Sequence, residues 1–312
     1  MNTDFRRQYF ERMLEVSATG AAPLEAFKRP HMPKSLYRFR SGSPHSLEAL
    51  ASHMTWLAAP NDFNDPFDSA FSISASEFGA KYLRSQLRVI CTRLNLDFSE
   101  HEKEKIEHAL NPLGEFFSTY RRRGMLMPEN VAQFLSTINS EWAVNAFDKV
   151  IARGRDSIRL CCFSERLDSI LMWSHYSNFH MGFCLEYDTG ALLADDDVER
   201  AAITSASLHP VHYADKLLDA TARISPDNPF VPLMAACTKS LEWSYEEEWR
   251  FIWLGSGKCA FSFGKPKCVV LGAKIADELR AKVRAIVEPQ GIRLAQAELA
   301  KDSFRLVFRE LN

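Results

Sequence analysis

Several common signatures of function are missing from this chain. The 7 cysteines are scattered and form no CxxC pair; the only adjacent two are Cys161 and Cys162. That spacing suits neither a disulfide framework nor a zinc knuckle, so reduced thiols packing as small apolar groups are expected. There is no Gly-rich phosphate loop, because the GSGKC stretch at 255–259 lacks the P-loop spacing, and there is no GxSxG elbow or HExxH helix. No stretch approaches the roughly 20 apolar residues that span a bilayer. The opening MNTDFRRQYFERMLE has no apolar h-region, so a cytoplasmic protein with no membrane association is expected. An excess of one charge is lacking too: 38 Lys and Arg stand against 40 Asp and Glu, a formal net charge of -2. No global basic field draws the chain to nucleic acid, and such binding would need a local patch.

What is present reads as α+β. Phe5, Tyr9, Met13 and Val16 recur on one helical face, and 18–33 reads as a Gly-, Pro- and Ala-rich lead-in loop. SLYRFR at 35–40 alternates with period two, which puts Tyr37 and Phe39 on one strand face and Arg38 and Arg40 on the other. Ser43 or Ser46 caps a helix that precedes the strand TWLAAP, and the Asn-Asp repeats around Pro66 dictate a tight turn. From Glu77 to Arg153 helical spacing dominates, with YLRSQLRVICTRL, EHEKEKIEHALNPLGEFF, NVAQFLSTI and WAVNAFDKVIA as its segments. Within it, Arg121–Arg123 reads foremost as a solvated face. CCFSE and FCLEYD read as strands around a helix capped by Asp168 or Ser169. A strand is expected from about Tyr245, and KCVVLG, IRLAQAEL and SFRLVF are further strands, with a helix at ADELRAKVRAIVEPQ. The expected organisation is a lead-in over 1–30, an α+β core over 31–76 and 154–312 with a mixed or antiparallel sheet, and a helical insertion over 77–153.

Four groups of residues could carry chemistry. On a strand, Glu246 and Glu248 would share a face and repel, and the compensating cation is either Arg250, in a surface ion pair, or a ligand. His175, Tyr176 and His180, with Trp173, form either a buried and a helix-ending histidine or a ring platform for a flat ligand. The five-residue step between the histidines is not the zinc spacing, so no metal site is assigned. Arg38 and Arg40 are either edge ion pairs or a fork for phosphate or ribose oxygens. Asp65 and Asp68 either build the turn around Pro66 or offer two carboxylates to a divalent ion.

LYRFR, FNDPFD, CFSE, ILMWSHYSNFHMGFCLEYD and W-S-YEEEWR, in that order from Leu36 onward, resemble an uncharacterised bacterial domain family. Some of its members sit near phage-defence and toxin genes. The order of parts also resembles the ADP-ribosyltransferase fold, with an Arg on an early strand, a Ser or Tyr in the middle, and E-x-E on a late strand. That resemblance implies NAD as substrate. It implies Glu248 as the catalytic carboxylate, with Glu246 positioning or deprotonating the acceptor. It also implies that Arg38 or Arg40 holds the diphosphate or adenosine ribose, that Tyr176 stacks on nicotinamide, and that Ser164 and His175 donate hydrogen bonds, with Trp173 and His180 beside them. The acceptor would be protein or nucleic acid, and an antitoxin or regulatory partner fits a toxin or defence effector. Two other classes stay open: a nucleotide sensor that binds without turnover, and a metal-dependent nuclease built on Asp65, Asp68, His175 and His180.

Overall fold

The computed structural model describes residues 3–19, 22–74, 77, 84, 87–92, 95–124, 129, 149, 151–194, 196–221, 223 and 230–311. They fall into two compact units: Met1–Ala70 with Arg155–Leu218 and Pro229–Asn312, and Phe71–Gly154 with Asp219–Asn228.

The first unit opens with the helix Thr3–Thr19, which buries Phe5, Tyr9 and Met13. The lead-in expected as a loop is instead a second helix, Ala22–Lys28, and a 3-10 turn, Arg29–His31. Tertiary packing overrides its weak local propensity. Leu24 is buried in the main core, and the Lys28 ammonium donates to the carbonyls of Ser205 and Leu208.

The strands then run β1 (Ser35–Arg40), β2 (Met54–Leu57), β3 (Phe71–Ser72), β4 (Ile158–Ser164) and β5 (Phe183–Asp188). Short strands β6 (Leu208–Pro210), β7 (His212–Ala214), β8 (Leu218–Asp219) and β9 (Thr238–Ser240) follow. The last five are β10 (Glu248–Leu254), β11 (Cys259–Ser262), β12 (Cys268–Leu271), β13 (Arg293–Leu299) and β14 (Leu306–Leu311). Eight of them form one mixed sheet in the order β14-β13-β12-β5-β1-β4-β10-β6. Only β12 and β13 run parallel within it. Around GSGKCAFSFGKPK the sequence suggests a hairpin-like loop, yet its centre is β11, which pairs with β2.

Side-chain alternation sends two apolar clusters to opposite faces of the sheet. Leu36, Phe163, Leu185, Tyr187 and Val269 belong to one, and Phe39, Cys184, Val270 and Ala297 to the other. The second cluster contains Trp173, from the helix Ile170–Tyr176 that Ser169 caps.

In the second unit, the helix Glu100–His108 starts in a capping box between Ser99 and Glu102, and Asn111 caps the helix Pro112–Arg122. Ile106, Phe116, Phe98 and Tyr120 pack between them. Arg122 and Arg123 pair with Glu115 and Glu102, so two members of the basic run are neutralised within the unit. The segment NVAQFLSTI and most of WAVNAFDKVIA lie outside the described residues.

Candidate functional site

Strand β1 pairs with β5 at six positions but with β4 at one, Tyr37 opposite Ser164. Beyond that point β1 and β4 part, and a cavity of about 400 Å³ lies there. Its lining includes both Tyr37 and Phe39 and both Arg38 and Arg40, residues of opposite strand faces. Pairing that continued along β1 and β4 would confine the two sets to opposite sides of the sheet. The remaining wall comes from the loop carrying Asn64 and Asp68, the helix residues Met172, His175 and Tyr176, and Lys239, Glu246, Glu248 and Arg250.

That wall is one continuous ionic network. Arg250 is fully buried, and its guanidinium grips Asp68 with two bonds of 2.9 and 2.7 Å. It also reaches Glu248 at 2.8 and 3.1 Å and the Ala236 carbonyl at 2.8 Å. The Lys239 ammonium bridges Glu246 at 2.5 Å and Glu248 at 3.2 Å. The Tyr176 hydroxyl donates to the other Glu246 oxygen at 2.6 Å. The Glu248 amide donates to the Tyr213 hydroxyl, and the Glu248 carbonyl accepts from Arg6 of the first helix.

The two glutamates are chemically distinct. Burial alone would raise the Glu248 carboxyl, but Arg250 and Lys239 outweigh it and hold the group well below the usual carboxylate range. Burial, and then the charge of Glu248, push the Glu246 carboxyl up to about 7, against the opposing pull of Lys239. Burial also raises the Tyr176 phenol, helped by the Glu246 charge, so this hydroxyl keeps its proton and acts as a donor. Glu248 is thus a fixed anion, and Glu246 changes charge near neutrality.

At the opposite wall stand Arg38 and Arg40. Among the described residues neither guanidinium meets a carboxylate, and Arg38 donates to the Cys161 sulfur. Burial, and then the neighbouring Arg38 charge, lower Arg40 to about 10. Two half-buried like charges without an acidic partner are unfavourable until an anion joins them.

Seven of the nine residues to which the ADP-ribosyltransferase resemblance gives a role line this cavity: Arg38, Arg40, Ser164, His175, Tyr176, Glu246 and Glu248. Ser164 acts through its neighbours, because its hydroxyl donates to the Glu246 carbonyl and fastens the turn before β10. Trp173 and His180 are elsewhere. Trp173 is a fully buried core residue, edge-on to Phe39, with its indole N–H on the Leu167 carbonyl. His180 is stacked on Trp173, and its Nε2 meets the Ser174 hydroxyl at 3.1 Å. Trp173 takes the inner side of the helix Ile170–Tyr176, and His180, in the turn beyond it with φ 69, folds back onto that ring. Of the surface ion pair expected between Arg250 and the two glutamates, Arg250 makes only the bond to Glu248 among the described residues, and that pair is buried; Glu246 takes Lys239 instead.

Glu246 also departs from the expected strand. Leu241–Glu246 is a 3-10 helix, Glu247 takes a left-handed conformation at φ 43, and β10 starts at Glu248. The two carboxylates nevertheless converge, through Lys239 rather than through a shared strand face. Asp65, Asp68, His175 and His180 do not converge: Asp65 accepts from the Phe67 amide and Asp68 is committed to Arg250. Among the described residues, no group of three or more His, Cys, Asp and Glu is arranged to hold a metal ion. No described helix is long and apolar enough to cross a membrane.

Sequence reasoning missed Lys239 and the partnership of Asp68 with Arg250. A signal existed for the first: Lys239 is the lone cation in the run MAACTKSLEW before the glutamate triplet. Residues 172–251 match the profile of a family described as a protein of unknown function, DUF2971. The match begins at Met172 of the cavity wall and ends just after Arg250, so an uncharacterised domain family fits this stretch. No curated protein and no solved structure matches the chain.

Proposed function

We propose that the cavity binds NAD⁺ and that the protein transfers ADP-ribose from it to an acceptor macromolecule, as a toxin or defence effector would. The observation that carries this reading is the polarity of the cavity. Two guanidiniums that meet no carboxylate among the described residues stand on one wall, and the Glu246 carboxyl, raised to about 7, stands on the other. An NAD⁺ molecule has matching polarity, with an anionic diphosphate in its middle and a cationic ring at one end. A recess of about 400 Å³ is within the ordinary range for small-molecule sites. The sheet order β1-β4-β10 sets the strands of Arg38, Ser164 and Glu248 side by side.

In this reading Arg38 and Arg40 hold the diphosphate, and the rings of His175 and Tyr176 flank the nicotinamide. The bond between nicotinamide nitrogen and ribose C1′ breaks, and its electron pair leaves with neutral nicotinamide. Positive charge develops on the ribose, where nearby carboxylates stabilise the transition state more than the ground state. The acceptor nucleophile attacks C1′ and gives its proton to Glu246. A base raised to about 7, near the working pH, is efficient in that step. This reassigns the roles of the two glutamates. Both Glu248 oxygens already face cations, so Glu248 organises the wall and Glu246 faces the chemistry.

The same saturation of Glu248 favours a second reading, a sensor that binds the nucleotide without consuming it. One experiment separates them: incubation with NAD⁺ labelled in the adenylate, following free nicotinamide and transfer of label. Nicotinamide release that Glu246→Gln abolishes supports transfer. Tight binding by calorimetry with intact NAD⁺ supports the sensor, and neither binding nor release sinks both.

A further inference from the structure

Lys239 has no part in the chemistry described above, yet it is a buried cation of the cavity wall. Its ammonium is buried, lies between two carboxylates, and sits over the Trp243 ring at 4.8 Å from the centroid. The two carboxylates depend on it unequally. Glu248 keeps two Arg250 bonds of 2.8 and 3.1 Å whether or not Lys239 is present. Among the described residues Glu246 has only Lys239 and the neutral Tyr176 hydroxyl.

We propose that Lys239 is a positioning residue for Glu246: its ammonium, held between the Trp243 ring and the two carboxylates, keeps Glu246 available as the charged carboxylate of the cavity. The groups facing Glu246 make this specific. From the helix Ile170–Tyr176 comes only the phenol of Tyr176, which favours an ionised neighbour by a hydrogen bond but brings no charge. From β10 comes the Glu248 carboxylate, which opposes a second negative charge, and Arg250 is already spent on Glu248 and Asp68. From β9 comes Lys239 alone. Remove it, and Glu246 faces a buried anion with one neutral donor, conditions under which a carboxyl keeps its proton. That Glu246 is the base of ADP-ribosyl transfer rests on the reading above; the dependence of its charge on Lys239 does not.

The test is a titration of the side-chain carboxyl carbons by NMR in protein labelled at glutamate, with the Glu246 signal assigned from Glu246→Gln. In Lys239→Met the Glu246 midpoint should rise by at least about one pH unit, a tenfold loss of the ionised form at a fixed pH below the midpoint. The Glu248 signal should stay ionised, and Lys239→Arg should restore the Glu246 midpoint. Trp243→Leu, which keeps the ammonium and removes the ring beneath it, is the second variant should Lys239→Met not fold, and should move the midpoint the same way by less. A Glu246 midpoint that does not move, or a Glu248 signal that moves in its place, overturns the proposal. A midpoint that moves while wild-type protein releases no nicotinamide keeps the proposal and removes the transferase reading.

Discussion

Asp68 and Arg250, 182 residues apart in the chain, meet in a two-pronged ion pair with bonds of 2.9 and 2.7 Å. The pair ties the last residue of FNDPFD to the last residue of YEEEWR, so two motifs that read as separate in the sequence are one structural object. Each partner is almost completely buried. Removing one side leaves a desolvated charge, which costs about 3–5 kcal/mol in such sites. Asp68→Ala should therefore destabilise the protein by that amount in urea unfolding. A loss under about 1 kcal/mol would mean that water reaches Arg250.

Arg38 and Arg40 should behave in the opposite way. With no carboxylate to abandon, Arg40→Gln should leave stability unchanged or slightly higher. Ligand affinity should fall, since a hydrogen bond to a charged group contributes about 1.5–3 kcal/mol, roughly ten- to a hundredfold. Calorimetry with NAD⁺ and chemical denaturation on the same variant read both effects. Equal loss of affinity and stability would assign the arginines to the scaffold instead.

Two contributions to the pH dependence of stability oppose each other. His209 is buried with its Nδ1 on the Tyr9 hydroxyl at 2.7 Å. Burial, and then the Lys28 charge, lower it to about 3 from an ordinary 6.5. The unfolded chain takes up this proton first, so the stability His209 contributes is present above pH 6.5 and is lost as pH falls toward 3. Glu246 acts the other way. Its folded value of about 7 lies above the ordinary 4.5, so its contribution is full below pH 4.5 and is lost as pH rises through 7. His209→Gln should flatten the acid loss, and Glu246→Gln should remove the decline toward neutrality. Urea midpoints at pH 5, 6 and 7 on the three proteins separate them.

Gly182 precedes β5 at the point where β1 ends. A Cβ there would lie 2.0 Å from the Arg40 carbonyl oxygen and 3.0 Å from the Ser177 oxygen, both backbone atoms that cannot swing aside. Gly182→Ala should push the end of β1 away from β5 and lower ligand affinity together with stability. Amide shifts at Phe39 and Arg40 report the displacement; shifts confined to Met181–Phe183 would mean that the turn absorbs it.

The elements with clear periodicity were legible. The alternation in SLYRFR, the cap at Ser43 and the strand-helix-strand unit from Cys161 to Asp188 stand where local pattern puts them. The site was legible as a set of residues but not as a geometry. Period two carried back through Glu246 assumes a continuous strand, and the left-handed Glu247 interrupts it. Nothing local distinguishes Trp173 from Tyr176, because which side of a short helix faces a cavity is decided by the sheet beneath it. Lys239 escaped notice because its partners, 7 and 9 residues on, lie on other elements, and a separation of 182 residues concealed Asp68 from Arg250.

The single pairing of β1 with β4 means that the main sheet is two half-ladders joined at Tyr37 and Ser164. On the β4 side, the backbone of β1 beyond Tyr37 belongs to no ladder among the described residues. A molecule bound in the gap would therefore meet main-chain donors and acceptors as well as side chains, and would complete a sheet as much as fill a recess. Occupancy should be visible as slowed amide exchange along β1, a signal that depends neither on turnover nor on the identity of the acceptor.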